Sequence, residues 1–126
     1  MARNEKRLLD KLLFYVERAA QIVDYFEHEE EGKVYIVLKN AGDKDLNKLV
    51  TEYTPGLIPY KLVKNLTKQL LEAVDAIHVK YVCHRDLKPD NIIIKDDDDE
   101  AFLTLIDFGI GVDFEDGKPI RGQNGV

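Results

Sequence analysis

His84-Arg85-Asp86-Leu87-Lys88-Pro89-Asp90-Asn91 and, a little further on, Asp107-Phe108-Gly109 decide how the rest of this chain is read. Both runs are short, polar and without helical or strand period, and each sits directly beside a β-rich apolar stretch, so they read as loops delivering side chains from a scaffold. Asp86, Asn91 and Asp107 supply two carboxylates and an amide oxygen. An isolated Asp or Asn in a loop is more often a solvated residue or an Asx turn; here the joint spacing argues against that reading.

Outward from the two runs, the apolar pattern lays out the remaining elements. Residues 92–94 and 102–106 read as strands joined by an acidic tip at 96–100. That tip lacks the alternating ligands and central glycine of a calcium loop and reads as a solvated turn. Upstream, residues 60–79 form the strongest helix pattern, with Leu62, Leu66, Leu70, Ala73 and Ile77 on one stripe, and Lys61, Lys64, Lys68, Glu72 and Asp75 opposite. Pro55, Gly56 and Pro59 punctuate the junction before it. Residues 22–26 and 34–38 read as a hairpin around a polar turn, and 44–51 as a short helix. Residues 4–18, with Leu8, Leu9, Leu12, Leu13 and Val16 at helical spacing, read as an amphipathic helix. The tail from 110 to 126 holds four glycines and no period, so it reads as a loop. Leu9, Leu38, Leu66, Leu70, Ile77, His84, Ile93, Leu105, Ile106 and Phe108 are the expected core.

The first run matches H-R-D-L-x-x-x-N and the second D-F-G, the catalytic loop and magnesium-binding loop of the protein kinases, which the chain therefore resembles. Seven fixed residues coincide in order. At about one in twenty per position, chance supplies that on the order of once in a billion trials. The resemblance implies an α+β fold, a partial kinase domain over residues 1–126. Residues 1–38 would be the C-helix and strands of the small lobe, 39–41 the hinge, and 42–126 the large-lobe part, with the catalytic loop at 84–91 and the metal loop at 107–109.

By the same resemblance Asp86 accepts the hydroxyl proton, Lys88 lies near the transferred phosphate, and Asn91 and Asp107 hold Mg2+ against ATP. Lys88-Pro89 points to the Ser/Thr class. Leu38 would be the gatekeeper, Lys39, Asn40 and Ala41 would offer hinge backbone to adenine, and Ile93 with Ile106 would close the adenine pocket from below. Glu5 would pair with the ATP-binding lysine, and its alternative is a helix N-terminal glutamate favoured by the dipole. His84 would stack on Phe108, with Leu9 as a third member; a buried, satisfied histidine is the commoner fate, and His78 also reads as structural. Arg85 would pair with a loop phosphate. Residues 110–126 hold no Ser, Thr or Tyr, so Asp113, Glu115 or Asp116 are its only anionic partners there.

Composition narrows the classes. At 126 residues, 44% hydrophobic and 33% charged, the sequence fits one globular domain. A net charge of −6 disfavours nucleic acid as a partner and leaves a protein substrate as the expectation. No apolar run is long enough for a bilayer, the start has no signal-peptide core, and the single Cys83 fits a reducing compartment. An intracellular, cytoplasmic setting is expected, and oligomeric state is open. The 126 residues contain no G-x-G-x-x-G lid, no V-A-I-K lysine and no A-P-E, and Gln123 stands where Ser/Thr kinases carry threonine. Two functions follow: ATP-dependent phosphoryl transfer to Ser/Thr hydroxyls of proteins as part of a longer kinase domain, or a truncated or degenerate kinase acting as a non-catalytic binding module.

Overall fold

In the computed structural model, which describes residues 1–97, 100–115 and 118–120, the chain is α+β, with all strand ladders antiparallel. It opens with helix α1 (Ala2–Leu12), which leads to the hairpin β1 (Ile22–His28) and β2 (Lys33–Leu38). A two-residue strand β3 (Lys44–Asp45) precedes the short helix α2 (Leu46–Thr51) and the long helix α3 (Tyr60–Val79). The strands β4 (Val82–Cys83), β5 (Ile92–Asp97), β6 (Glu100–Leu105) and β7 (Val112–Asp113) complete it. The sheets are β1–β2, β3–β5–β6 and β4–β7.

One continuous core joins these pieces. Leu8, Leu9 and Leu12 of α1, Leu66, Ala73 and Ile77 of α3, and Ile94, Leu103 and Leu105 of the three-stranded sheet share it with Phe108. Leu62 and Leu70 of the α3 stripe are packed against it but only partly buried. Gln69 is nine-tenths buried in the same face, a residue that pattern reading leaves out of the stripe. Its amide substitutes for a neighbouring strand: Oε1 accepts from Leu103 N (2.8 Å) and Nε2 donates to Ala101 O (2.6 Å). Arg18 also donates to Oε1 while lying 4.4 Å over the Phe102 ring, so the amide is fully used. α3 is thereby fixed in register on β6.

Several expectations need correction. The first helix stops at Leu12 rather than running to residue 18, because Leu13 is extended and Phe14 has a φ of 69°. Val16 still returns to the core through the turn, which is why the helical spacing continues past the helix. Residues 44–51 divide: Lys44 and Asp45 pair with Ile94 and Ile93, and Asp45 Oδ1 then caps α2 by accepting from Lys48 N (2.8 Å). The tail is not all loop, since Val112 and Asp113 pair with Cys83 and Val82. The strand expected at 102–106 runs from Glu100 to Leu105, so Ile106 begins the next loop. Residues 98, 99, 116, 117 and 121–126 lie outside the described residues, so the tip's centre, Asp116 and Gln123 are not placed.

Among the expected core, Leu9, Leu66, Ile77, His84, Leu105 and Phe108 are buried, whereas Leu70, Ile93 and Ile106 are half-buried. Leu38 is 36% exposed. It ends β2, which among the described residues pairs only with β1, so no third strand flanks it. Gly42 shows how closely the chain passes at the join of hairpin and sheet: a Cβ there would lie 2.5 Å from Ile94 O. Among the described residues no helix is long and apolar enough to cross a membrane.

Candidate active site

The loop at 84–91 is organised by His84. Its ring is 1% exposed, and burial pushes its pKa below the ordinary histidine value. The neutral ring has one donor and one acceptor, and both are used. Nε2 lies 2.8 Å from Ile106 O, which can only accept, so that nitrogen carries the proton. Nδ1 then accepts from Asp86 N at 3.1 Å. One side chain therefore fixes the backbone of Asp86 to the residue preceding Asp107. The same ring meets Phe108 edge-on, centroids 4.6 Å apart, with Phe108 and Leu9 fully buried.

Asn91 closes the circuit. Its Nδ2 donates to Asp86 O (3.0 Å) and Asp86 Oδ2 (3.1 Å), and its own carbonyl accepts from Ile106 N (3.0 Å). Both partners of Nδ2 are pure acceptors, which sets the amide's orientation and turns its oxygen away from Asp86. Lys88 Nζ stands 3.6 Å from Asp86 Oδ2, with the lysine side chain 42% exposed and the aspartate 14%. Asp107 has a φ of 60° and accepts from Gly109 N at 3.2 Å. A left-handed aspartate is uncommon, so its surroundings must hold it there. Arg85 is also left-handed (φ 68°) and donates from Nε to Ile110 O at 2.9 Å.

Asp86 and Asn91 thus share one hydrogen-bonded network with His84 and Ile106, the residue that precedes Asp107. A magnesium ion keeps several waters and binds through one or two carboxylates plus substrate phosphates. The donors here, Asp107 and the Asn91 amide oxygen, fit that demand. Among the described residues no three Asp, Glu, His or Cys side chains cluster into an all-protein metal cage.

Glu5 of α1 reaches the second motif loop. Its Oε1 accepts from Phe108 N at 3.2 Å, and burial, with the nearby Asp107 charge, raises its pKa although the Phe108 N–H opposes the shift. Asp113, expected as an anion for Arg85, instead takes Arg7 Nη1 at 2.8 Å, and Lys11 at 3.9 Å. Glu115 lies outside that pairing, held by Lys118. Sequence reading missed Asn4, whose Nδ2 donates to Gly109 O and Gly111 O. A single polar residue in a helix gives no spacing signal.

The residues assigned to the adenine side are less gathered. Lys39, Asn40 and Ala41 line a cavity of about 270 Å³ with Glu17, Gln21 and Thr104. Leu38 and Ile93 do not line it, nor does any residue of 84–91 or 107–109, so this cavity is not the phosphate-side cleft. Ile106 contributes its backbone to the His84 network, as above. His78 packs edge-on against Phe114.

Comparison with known proteins adds the family. A family model described as the protein kinase domain matches residues 2–125. Three similar relatives are the serine/threonine-protein kinase stk11 homolog of Dictyostelium discoideum, ppk34 of Schizosaccharomyces pombe, also a serine/threonine-protein kinase, and the calcium/calmodulin-dependent protein kinase cmkA of Emericella nidulans. Their identities are 34% over 74% of this chain, 33% over 77%, and 36% over 87%, respectively. The matched parts are 15%, 30% and 25% of those proteins, so the chain spans less than a third of each.

Proposed function

This chain belongs to the protein kinase family, and from that premise we propose that it is the central part of an ATP-dependent kinase that phosphorylates Ser/Thr hydroxyls of proteins. The observation that carries the reading is the bond circuit from His84 to Asp86, Asn91 and Ile106. It ties Asp86 and Asn91 to Ile106, the residue before Asp107, which supports reading the two motif loops as one site. The division into small-lobe part (1–38), hinge (39–41) and large-lobe part (42–126) is part of the proposal, as is an intracellular, cytoplasmic setting.

In this reading Asp86 accepts the proton of the attacking hydroxyl, and its backbone is held by His84 so that the carboxylate is already aimed. Lys88 balances Asp86 and faces the phosphate being transferred. Asn91 and Asp107 hold Mg2+, which when bound neutralises the charge of the phosphate oxygens. Leu38, Lys39, Ala41 and Ile93 border the adenine. Ser/Thr specificity draws support from Lys88-Pro89 and from the similarity to two serine/threonine-protein kinases.

The test is a radiolabelled phosphate-transfer assay with generic Ser/Thr and Tyr peptides, beside magnesium-dependent nucleotide binding. The 126-residue chain alone should bind nucleotide weakly, lose that binding in Asp107→Ala, and phosphorylate nothing measurable. Within these residues no lysine of V-A-I-K type and no glycine-rich lid holds the α- and β-phosphates, and losing such preorganised groups costs several kcal/mol of transition-state stabilisation. Joined to a segment carrying both, it should transfer phosphate to Ser/Thr peptides. Binding that ignores magnesium and survives Asp107→Ala would overturn the assignment.

A further inference from the structure

The backbone after Asp107 is gripped from two sides. Asn4 Nδ2 donates to Gly109 O (3.1 Å) and Gly111 O (2.9 Å), while Arg85 takes the carbonyl between them, Ile110 O. Three consecutive carbonyls are thereby held. Asn4 is itself oriented, because its Oδ1 accepts from Arg7 Nη2 at 2.9 Å. The other arm of that guanidinium reaches Asp113 at 2.8 Å. A relay therefore runs from Asp113 through Arg7 and Asn4 to the turn that holds Asp107 in its left-handed conformation.

Three further observations support a specific role for this relay. Asn4 lies in the first turn of α1, and its side-chain amide is spent on the loop carbonyls and Arg7 rather than on the free N–H groups of its own helix. The helix and loop are in direct contact: a Cβ on Gly111 would lie 2.9 Å from Leu8 Cδ1 and 3.0 Å from Cys83 O. Residues 110–126 contain no hydroxyl side chain, so the only anion α1 meets there that needs no modification is a carboxylate. Arg7 holds the Asp113 carboxyl below its ordinary pKa, so the charge is permanent at neutral pH.

We propose that Asn4 is a positioning residue for Asp107, and that Arg7 and Asp113 complete a latch between α1 and residues 107–113 that needs no phosphorylation. The latch rests on the reading of Asp107 as a magnesium-holding residue. Asn4 touches neither metal nor nucleotide; it acts by fixing the turn that presents Asp107.

Amide hydrogen exchange of the 126-residue chain tests it. Gly109 N and Gly111 N donate to Asp107 Oδ1 and Phe108 O, so Asn4→Ala should speed their exchange about tenfold by letting the turn open once its carbonyls lose one or two hydrogen bonds, and leave Leu103 and Leu105 unchanged. Arg7→Lys, which can pair with Asp113 but lacks the second arm for Asn4, should speed the same two amides about two- to threefold. Asn4→Ala should also raise by about tenfold the Mg2+ concentration that half-saturates ADP binding, with metal-free ADP affinity unchanged. That split separates positioning of Asp107 from general loosening. Exchange left unchanged at Gly109 and Gly111, or raised equally at Leu103 and Leu105, overturns the latch. If Asn4→Ala does not fold, Arg7→Lys is judged by the same exchange criterion. Absence of magnesium-dependent ADP binding in the parent chain would overturn the reading of Asp107 instead, and exchange alone would then decide the latch.

Discussion

His84, Asn91 and Phe108, in the loops that carry the motif residues, are 1%, 5% and 0% exposed, whereas Val23 and Phe26 of the β1–β2 hairpin are 67% and 48% exposed. The loops are irregular backbone and the hairpin is regular, so the usual expectation would make the hairpin the firmer part. The opposite follows from what each packs against. The loops lie in a core shared by α1, α3 and β6, and among the described residues no buried side-chain nitrogen or oxygen lacks a partner. The hairpin is a two-stranded ribbon with α1 alongside, and such ribbons are marginal without a third strand or a covering layer. Regularity of backbone is thus a poor guide to where this molecule's stability lies.

The sharpest way to break the contrast is to remove one ring from each region. Phe108→Ala should cost about 3–5 kcal/mol, the range for emptying a fully buried aromatic site. Phe26→Ala removes a stacked partner of Tyr35 (centroids 4.9 Å apart) that water already reaches, and should cost less than about 1 kcal/mol. Urea unfolding of the two variants measures both. Equal losses would show that the hairpin is part of the same cooperative core.

A smaller effect is expected from the polar circuit. Asn91→Ala removes the donor to Asp86 O and Oδ2 and should cost about 1–3 kcal/mol, since the Asp86 carbonyl loses this donor and Oδ2 keeps only Lys88 at 3.6 Å. Nucleotide binding should lose its magnesium dependence at the same time. A variant as stable as the parent would mean that water replaces the amide and that the circuit does not hold the loop.

Two groups in this region titrate with opposite signs. His84 has a folded pKa below its unfolded value of 6.5, so its contribution is full above 6.5 and is lost as pH falls through 6.5 towards the lowered value, because only the unfolded chain takes up the proton there. Glu5 has a folded pKa above its unfolded value of 4.5, so stability falls as pH rises from 4.5 through the raised value. His84→Gln should flatten the first limb and Glu5→Gln the second, in urea midpoints followed against pH. An unaltered acid limb in His84→Gln would show that the ring is not the buried neutral group described above.

What could be read beforehand followed where the physics leaves a pattern in sequence. The motif loops were legible because phosphate and metal chemistry demands fixed residue types at fixed spacing, and α3 because its stripe is long and bounded by Pro59. The end of α1 was not, since Val16 is buried by a turn at a spacing a helix would also give. β3, β4 and β7 have two residues each, too few to show a period. Gln69 lies three residues after Leu66, inside the stripe, and its position was the available signal; its polarity hid it. The residues proposed to border adenine rest on the family resemblance, and neither Leu38 nor Ile93 lines the cavity formed by Lys39, Asn40 and Ala41.

The smallest effect is expected where the most conspicuous ion pair lies. Arg3 forks onto Glu27 at 2.9 and 2.7 Å, with Tyr25 also donating to the carboxylate, and the Glu27 carboxyl is held down to about 2. That shift is large, yet the arginine side chain is 77% exposed, so water and salt compete for the same charges. Arg3→Ala should therefore move the Glu27 titration, followed by carboxyl NMR, from about 2 up towards the ordinary carboxylate range, and leave the urea midpoint at physiological ionic strength almost where it was. The sign agrees: a depressed carboxylate contributes only above its unfolded value and loses that contribution as pH falls towards 2, so any difference between the variants should vanish in acid. A midpoint loss as large as that of Asn91→Ala would mean that the hairpin depends on this pair to stay on α1, and the distinction between a core that holds itself and a ribbon that only leans on it would have to be abandoned.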